Sequence, residues 1–300
     1  MQLAGTDLRL IRVFDAVVRH RGFPGAQVEL NIGQSTISNH ITALEQRLGL
    51  RLCRRGRAGF RLTDEGAEVH REVTAVLRGL EDFTANVAGL RNEMVGTLRI
   101  GLVDAIITDP NCPVAAAFSA FNRRQHAVRF EISEDVPQAL QAKVAAGELD
   151  LAVGCYPTRI PGLRTIALYI EGNSLYCAAG HPLFTVPDAE IDPLALVRNR
   201  AAGRSYWRAG HSGNRTLLHT RAVAKTIEHQ LILILTGDYI GYVPDHAARP
   251  YVEAGQLRAL LPGEFHYPNE LALALKDGPL ANLAVGTFVD DLLACAGGAR

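Results

Sequence analysis

Lysine is nearly absent from this chain: there are three, Lys143, Lys225 and Lys276, against 28 arginines. Its cationic chemistry is therefore arginine chemistry, a planar fork that matches phosphate oxygens and guanine edges. Net charge is also missing, with 31 basic and 31 acidic residues. That argues against general stickiness to nucleic acid or membrane over the whole surface. Long apolar runs are missing as well. The longest clean aliphatic stretch is Leu231–Leu235, far short of the roughly 20 residues a spanning helix needs, so no membrane partner is expected. Cysteine is sparse and unpatterned, at Cys53, Cys112, Cys155, Cys177 and Cys295. An odd number with no CxxC pair excludes a disulfide framework. It leaves reduced, mostly buried thiols as the expectation, with a redox-sensing thiol the minor alternative.

Catalytic motifs are missing too. No GxxxxGK loop, no GxGxxG after a strand and no HExxH occurs, which removes the common nucleotide and zinc-protease signatures. The ten histidines show no metal-ligand spacing; His211, His219 and His229 share a region but fit no zinc pattern. Gly210-His211-Ser212-Gly213 falls short of a nucleophile elbow, because Asn214 stands where its last glycine is needed. The expectation is no enzyme, no cofactor and no metal. The opening MQLAGTDLRLIRVFD carries charge early and lacks a small-residue cleavage pattern. No signal peptide, and hence a cytoplasmic protein, is expected.

What is present is an ordinary globular composition, 48% apolar and 21% charged over 300 residues. That suggests two or three domains. The charge is uneven. From Arg47 to Arg61 there are six arginines, at 47, 51, 54, 55, 57 and 61, and no acid, so one cationic face is expected. Residues 7–62 read as short helices and a turn-rich basic tail. Leu8, Ile11, Phe14 and Val17/Val18 recur at helical spacing. Pro24 opens a second helix, Asn31-Ile32-Gly33 is a tight turn, and a third helix from Gln34 carries Ile37, Ile41, Leu44 and Leu48 before Gly49. Leu50–Thr63, with Gly56 and Gly59, reads as a small hairpin wing.

Thr63-Asp64-Glu65 is a capped helix start, and the helix is expected to reach about Asn92. Val69, Val73, Val76, Leu80, Phe83, Val87 and Leu90 step by 4, 3, 4, 3, 4, 3. Such a heptad seam expects a partner helix; the chain shows no second one, so self-association is predicted. From Gly96 the pattern alternates strand and helix: strands at 97–103, 128–133 and 149–154, helices at 114–124 and 136–146. Strands near 164–169 and 174–179, a helix near 215–235, a strand at 239–243, a helix at 245–254, strands at 257–260 and 270–275 and a helix at 279–296 complete two α/β lobes. The chain is expected to cross between them near 155–162 and 262–268.

The segment Phe23–Gly66 has helix-turn-helix mechanics. Ala26 permits close helix packing, and Leu30 and Ile37 fill the space between the helices. Gln34, Ser35, Thr36, Ser38, Asn39 and His40 crowd the start of the third helix with side chains suited to base edges and phosphates in a major groove. Arg54, Arg55, Arg57 and Arg61 on the hairpin are placed to reach backbone or minor groove.

At this point the run GQSTISNHITALEQRLGLRLCRR followed by FRLTDEG resembles the DNA-binding domain of LysR-type transcriptional regulators, in its recognition helix, its leucine/glycine ending and its LT-x-x-G entry into the linker helix. Motif agreement is detailed up to Gly66. Beyond it the resemblance rests on layout and on pieces such as LQAKVAAGELDLAVG, HPLF and TGDYIGYVPD. Two positions depart: Gln27 stands where a second alanine is usual, and Gly33 where a serine is common, leaving the recognition-helix cap weaker or taken from Asn31.

The resemblance implies an α/β protein overall: a winged helix-turn-helix (1–63), a long linker and dimerisation helix (64–93), and a two-lobed effector domain like type 2 periplasmic binding proteins (94–300). Lobe I would hold 94–160 and 266–300, lobe II 161–265. It implies double-stranded promoter DNA and a small-molecule inducer as partners and self-association as dimer and tetramer, and it leaves RNA polymerase open as a further partner. Ligands of parallel α/β lobes sit beyond the strand ends, which here carry Asp104, Ala105, Ser133 and Glu134 on one lobe. On the other they carry Arg204, Ser205, Tyr206, Trp207 and Val243. With carboxylates on one side and arginine and aromatics on the other, the expected ligand puts an anionic group on Arg204 and a hydroxyl or amine on Asp104 or Glu134. An enzyme or solute-binding module fused to a DNA-binding domain is the alternative, and a DNA binder whose lobes sense nothing is the third.

Overall fold

The computed structural model describes residues 5–56, 59–206 and 218–297. Two compact units divide between Thr84 and Ala85. The first holds α1 (Gly5–Arg19), α2 (Phe23–Leu30), α3 (Gln34–Leu48), the hairpin β1 (Cys53–Gly56) and β2 (Gly59–Leu62), and most of α4 (Asp64–Gly89). Phe14, Ala26, Ile37, Ile41 and Leu52 are fully buried between these elements. Pro24 sits in the first turn of α2, where its missing N–H costs nothing. Asn31 takes a left-handed φ of 51° to end that helix, and Gly49 does the same at 66° for α3.

The second unit begins with the expected alternation: β3 (Val95–Leu102), a short turn of helix Ile106–Thr108, α5 (Val114–Asn122), β4 (Ala127–Glu134), α6 (Pro137–Ala145) and β5 (Leu151–Cys155). β4 and β5 flank β3 in parallel. β6 (Leu163–Ala178) follows, then a short 3₁₀ turn Asp188–Glu190, α7 (Pro193–Leu196), β7 (Ala201–Arg204), β8 (Thr220–Ala224), α8 (Ile227–Leu235), β9 (Gly241–Pro244), α9 (Asp245–Glu253), β10 (Leu257–Ala259), β11 (His266–Lys276) and α10 (Leu283–Gly297).

One sheet runs in the order β10-β6-β11-β5-β3-β4, with β9 also on β6, while β7 and β8 pair separately. α5 and α10 pack an aromatic cluster of Phe118, Phe121, Phe130 and Phe288 on one face. α6 covers the other face through Leu140 and Val144. Farther along β6, Tyr176 packs with α8 and α9, and Leu175 with Leu196, Ile240 and Phe265 on the opposite face.

Three local expectations are corrected. The two strands near 164–169 and 174–179 are one 16-residue strand, β6. It pairs with β11 from Leu163 to Ser174, with a bulge between Leu271 and Ala272. Gly172 and Asn173 look like a break in sequence, but the antiparallel partner carries the strand across them. The helix expected from 215 begins only at Ile227; Thr220–Ala224 is β8, parallel to β7, a pair the sequence reading did not contain. The start of that expected helix, 215–217, lies outside the described residues. At the far end, the expected 279–296 helix starts at Leu283.

Candidate DNA interface and effector cleft

Burying Ile37, Ile41 and Leu44 turns the rest of α3 outward. Gln34, Ser35 and Asn39 are exposed, and Thr36, Ser38 and His40 are half-buried. Thr42 and Gln46 are also exposed. They extend the Ser35–Asn39 stripe at helical spacing beyond the residues the sequence pattern singled out. Thr42 donates its hydroxyl back to the Ser38 carbonyl at 3.0 Å, and His40 has its Nε2 enclosed by protein. Gly33 caps α3 with no side-chain bond, and Asn31 ends α2 instead. The first-turn N–H groups of α3 thus lack a side-chain cap, the arrangement that suits an anionic oxygen from outside. Gln27 is exposed beside the fully buried Ala26, so this departure does not touch the helix packing.

On the wing, Arg54 and Arg61 are exposed cross-strand partners, and Arg55 lies on β1 opposite Phe60. Arg57 is outside the described residues. Arg47, part of the same basic run, pairs instead with buried Asp7 at 2.7 Å. Sequence reasoning missed Glu45. Its Oε1 accepts the N–H groups of Leu52 and Cys53 at 2.8 and 3.2 Å, tying α3 to the wing.

Thr63 begins α4 by accepting the Gly66 N–H at 2.9 Å while donating to the Arg51 carbonyl at 2.6 Å. Of the heptad positions on α4, Val73 is buried and Val69 half-buried in the core of the first unit. Val76, Leu80, Phe83 and Val87 are exposed, as is Leu90 in the turn after the helix. Within the same unit, Ile11, Leu44, Leu48, Val73 and Val76 line an apolar groove.

In the second unit, β3 ends at Leu102, Asp104 follows two residues on, and Ala105 takes a left-handed φ of 55° that turns the chain into the following helical turn. Asp104 is buried. Its Oδ2 accepts the main-chain N–H of Ile227 at the start of α8, and its Oδ1 accepts the Tyr206 hydroxyl at 3.4 Å. Burial raises the pKa of this carboxyl above its ordinary value, against the lowering effect of the Ile227 N–H. Arg204, at the end of β7, is buried beneath Tyr206. It lies within 3.3–3.5 Å of Asn173 Oδ1, the Tyr267 hydroxyl and the Tyr206 hydroxyl. Burial pulls its pKa down, but the phenols of Tyr206 and Tyr267 and nearby Glu171 outweigh this and raise it. The expected Asp104 and Arg204 are thus brought together across the Tyr206 hydroxyl.

The remaining effector residues fall elsewhere. Ser133 and Glu134 are exposed at the end of β4, beside the end of β3. Ser205 is exposed, Ala105 half-buried and Val243 fully buried in the core under α8 and α9. Trp207 lies outside the described residues. Asn173 on β6 and Tyr267 on β11 were not anticipated. Neither follows a parallel strand end, which was the signal used.

Two family models match this chain. Residues 8–67 match the bacterial regulatory helix-turn-helix protein of the lysR family, and residues 91–295 match the LysR substrate binding domain. The chain belongs to the LysR family of transcriptional regulators. It is 38% identical to the HTH-type transcriptional activator BauR of Pseudomonas aeruginosa over 290 residues, 96% of this chain and 95% of that one. It is 30% identical to the glycine cleavage system transcriptional activator of Escherichia coli over 208 residues, 67% of this chain and 65% of that protein. Full-length OxyR of P. aeruginosa shares the fold, at 18% identity and a TM-score of 0.65 over 99% of this chain and 95% of that one. This LysR-family chain is therefore a DNA-binding regulator with an effector-binding domain. Among its described residues no helix is long and apolar enough to cross a membrane.

Proposed function

We propose that this regulator reads a promoter site through Gln34, Ser35, Thr36, Ser38, Asn39 and His40 of α3, with Thr42 and Gln46 extending the stripe and Arg54, Arg55, Arg57 and Arg61 holding the flanking backbone. The division at 1–63, 64–93 and 94–300, with lobes at 94–160 plus 266–300 and at 161–265, assigns reading, pairing and sensing to successive segments. The exposed seam Val76, Leu80, Phe83, Val87 and Leu90, entered through Val69 and Val73, pairs two copies, and pairs of dimers give a tetramer. RNA polymerase is the further partner such a regulator would address, in the cytoplasm, and the chain has no catalytic role.

The sensing reading is carried by one observation: Asp104 and Arg204 share the hydroxyl of Tyr206. A small ligand that replaces this hydroxyl finds a buried cation on one side and a carboxylate on the other. The effector is therefore a small molecule with an anionic group for Arg204 and an amine or hydroxyl for Asp104. Binding favours one arrangement of the lobes and so shifts the population that reads DNA.

Selection of the purified protein against a random duplex pool tests the first part. The expected outcome is enrichment of an interrupted inverted repeat, matching two-fold symmetry. Gln34→Ala should weaken binding to it by roughly 5- to 150-fold, the value of about 1–3 kcal/mol for one base contact. Arg54→Ala should weaken all sequences alike and reduce the salt slope by about one. No enriched sequence at moderate salt would remove the proposed readout.

A further inference from the structure

Three side chains far apart in sequence meet in the buried interior of the second unit: Asp109 after the Ile106–Thr108 turn, Glu171 on β6 and His246 on α9. All three are buried, and one ligand atom from each lies within 4.8 Å of the others. His246 Nε2 is 3.0 Å from Glu171 Oε1 and 3.7 Å from Asp109 Oδ2.

The hydrogen bonds around them fix which atoms face inward. Thr108 donates its one hydroxyl proton to the Ala105 carbonyl at 2.9 Å. Its hydroxyl oxygen also lies 2.7 Å from His246 Nδ1, a hydrogen bond that orients the ring. On the other side of the ring Nε2 hydrogen-bonds Glu171 Oε1 at 3.0 Å, so an ion bound there takes the place of the proton between them. Asp109 Oδ1 accepts the Asn111 N–H at 2.8 Å. Glu171 Oε2 accepts the amides of Asn173 and Asn269 at 3.0 and 3.2 Å. Each residue is therefore anchored through one polar atom and presents the other to a common point. That is the outer-shell pattern that orients metal ligands.

We propose that Asp109, Glu171 and His246 bind one divalent transition-metal ion, of the zinc or manganese class. Bonds of about 2.1 Å require ligand atoms roughly 3.0–3.4 Å apart; the 3.0 and 3.7 Å separations from His246 lie near that range, and the carboxylates, within 4.8 Å of each other, close inward on the ion. One imidazole with two carboxylates suits ions between the nitrogen-preferring and oxygen-preferring kinds. A divalent charge also adds to what the nearby Arg204 supplies in offsetting two buried carboxylates. The ion would fasten the turn after β3 to α9 through β6, next to the Asp104–Arg204 pair and linked to it through Asn173, which donates to Glu171 and accepts from Arg204.

The test uses the full chain, stripped with a chelator and then dialysed against Zn²⁺, Mn²⁺ or Co²⁺ alone. One retained equivalent of Zn²⁺ or Mn²⁺ per chain and a raised unfolding temperature are expected. Asp109→Asn and His246→Gln should each weaken retention by at least about tenfold. Should either variant fold poorly, the Co²⁺ spectrum of the wild type decides: nitrogen and oxygen ligation supports the site, whereas thiolate charge-transfer bands place the ion on cysteine and overturn it. Retention equal in wild type and folded variants, or none at all, overturns it too, leaving a proton shared between His246 and Glu171 as the occupant.

Discussion

The carboxylate of Asp104 accepts the main-chain N–H of Ile227, 123 residues further along the chain. Ile227 is the first residue of α8, so the acid at the end of β3 sits on the positive end of a helix from the other core. The contact joins the two halves of the effector domain without any ligand, and the same carboxylate takes the Tyr206 hydroxyl. Any effector amine that reaches Asp104 competes for an acceptor that already holds the domain together.

Asp104→Asn should therefore separate two effects. The amide keeps an acceptor for Ile227 but loses the charge, so the unliganded protein should stay within about 1.5 kcal/mol of wild type. Response to amine-bearing anions should fall at least tenfold, read as the ligand-induced shift in unfolding temperature across a panel of small acids, amines and amino acids. Arg204→Gln should abolish the response to every anionic member. Full ligand response in the Arg204 variant sinks the proposed effector chemistry.

Gly66 gives the LT-x-x-G pattern a physical meaning. A Cβ on it would stand 1.9 Å from the carbonyl oxygen of Leu52, while its N–H is capped by Thr63. The wing and the start of α4 are thus packed backbone to backbone. Gly66→Ala should cost about 1–3 kcal/mol, as other overpacked sites do, and lower the denaturant midpoint with little change in slope. Gly79→Ala, with nothing near its would-be Cβ, is the control and should be neutral or slightly stabilising.

Much of this architecture was legible in the sequence because its signals are local. The turn at Asn31–Gly33, the stop at Gly49, the Thr63 cap and the β3-α5-β4-α6-β5 alternation follow from capping residues and periodicity within a few positions of each element. The rest depended on partners distant in sequence. β6 runs unbroken through Gly172 because β11 pairs with it there, and β7 with β8 form only as a parallel pair across the 207–217 segment. In the candidate effector site, Asp104 and Arg204 lie at or just beyond strand ends and could be named. Asn173 and Tyr267, on antiparallel strands, could not. Asp109, Glu171 and His246 share no spacing at all; only the fold makes them neighbours.

The seam on α4 predicts an oligomeric state. Phe83 is 67% exposed, a large aromatic left in water on a helix whose other seam positions, Leu80 and Val87, are exposed beside it. Phe83→Glu removes the apolar anchor and places a charge where a second copy would pack. Light scattering should show the wild type as a dimer or larger and the variant as a monomer at the same concentration. Helical content should stay the same, since Phe83 makes no part of the first unit's core. A variant that remains a dimer would move the interface off this helix.

Glu29 carries a pH dependence in the DNA-binding unit. Arg19 donates two bonds to its carboxylate, at 2.9 and 2.6 Å, and His20 adds a third contact at 2.7 Å. These partners, Arg19 foremost, hold its pKa down at about 2, from an ordinary 4.5. Because the folded value lies below the unfolded one, the unfolded state binds the proton first. The stability this group supplies is fully present above about pH 4.5 and is lost as pH falls toward 2. The side chain is 36% exposed, so solvent screening limits the effect to under about 1 kcal/mol. Glu29→Gln should lower stability at pH 7 by that amount and flatten the acid limb of the stability curve between pH 4.5 and 2, converging with wild type at its lower end. Equal slopes for the two proteins across that window would show that the α1–α2 ion pair adds nothing.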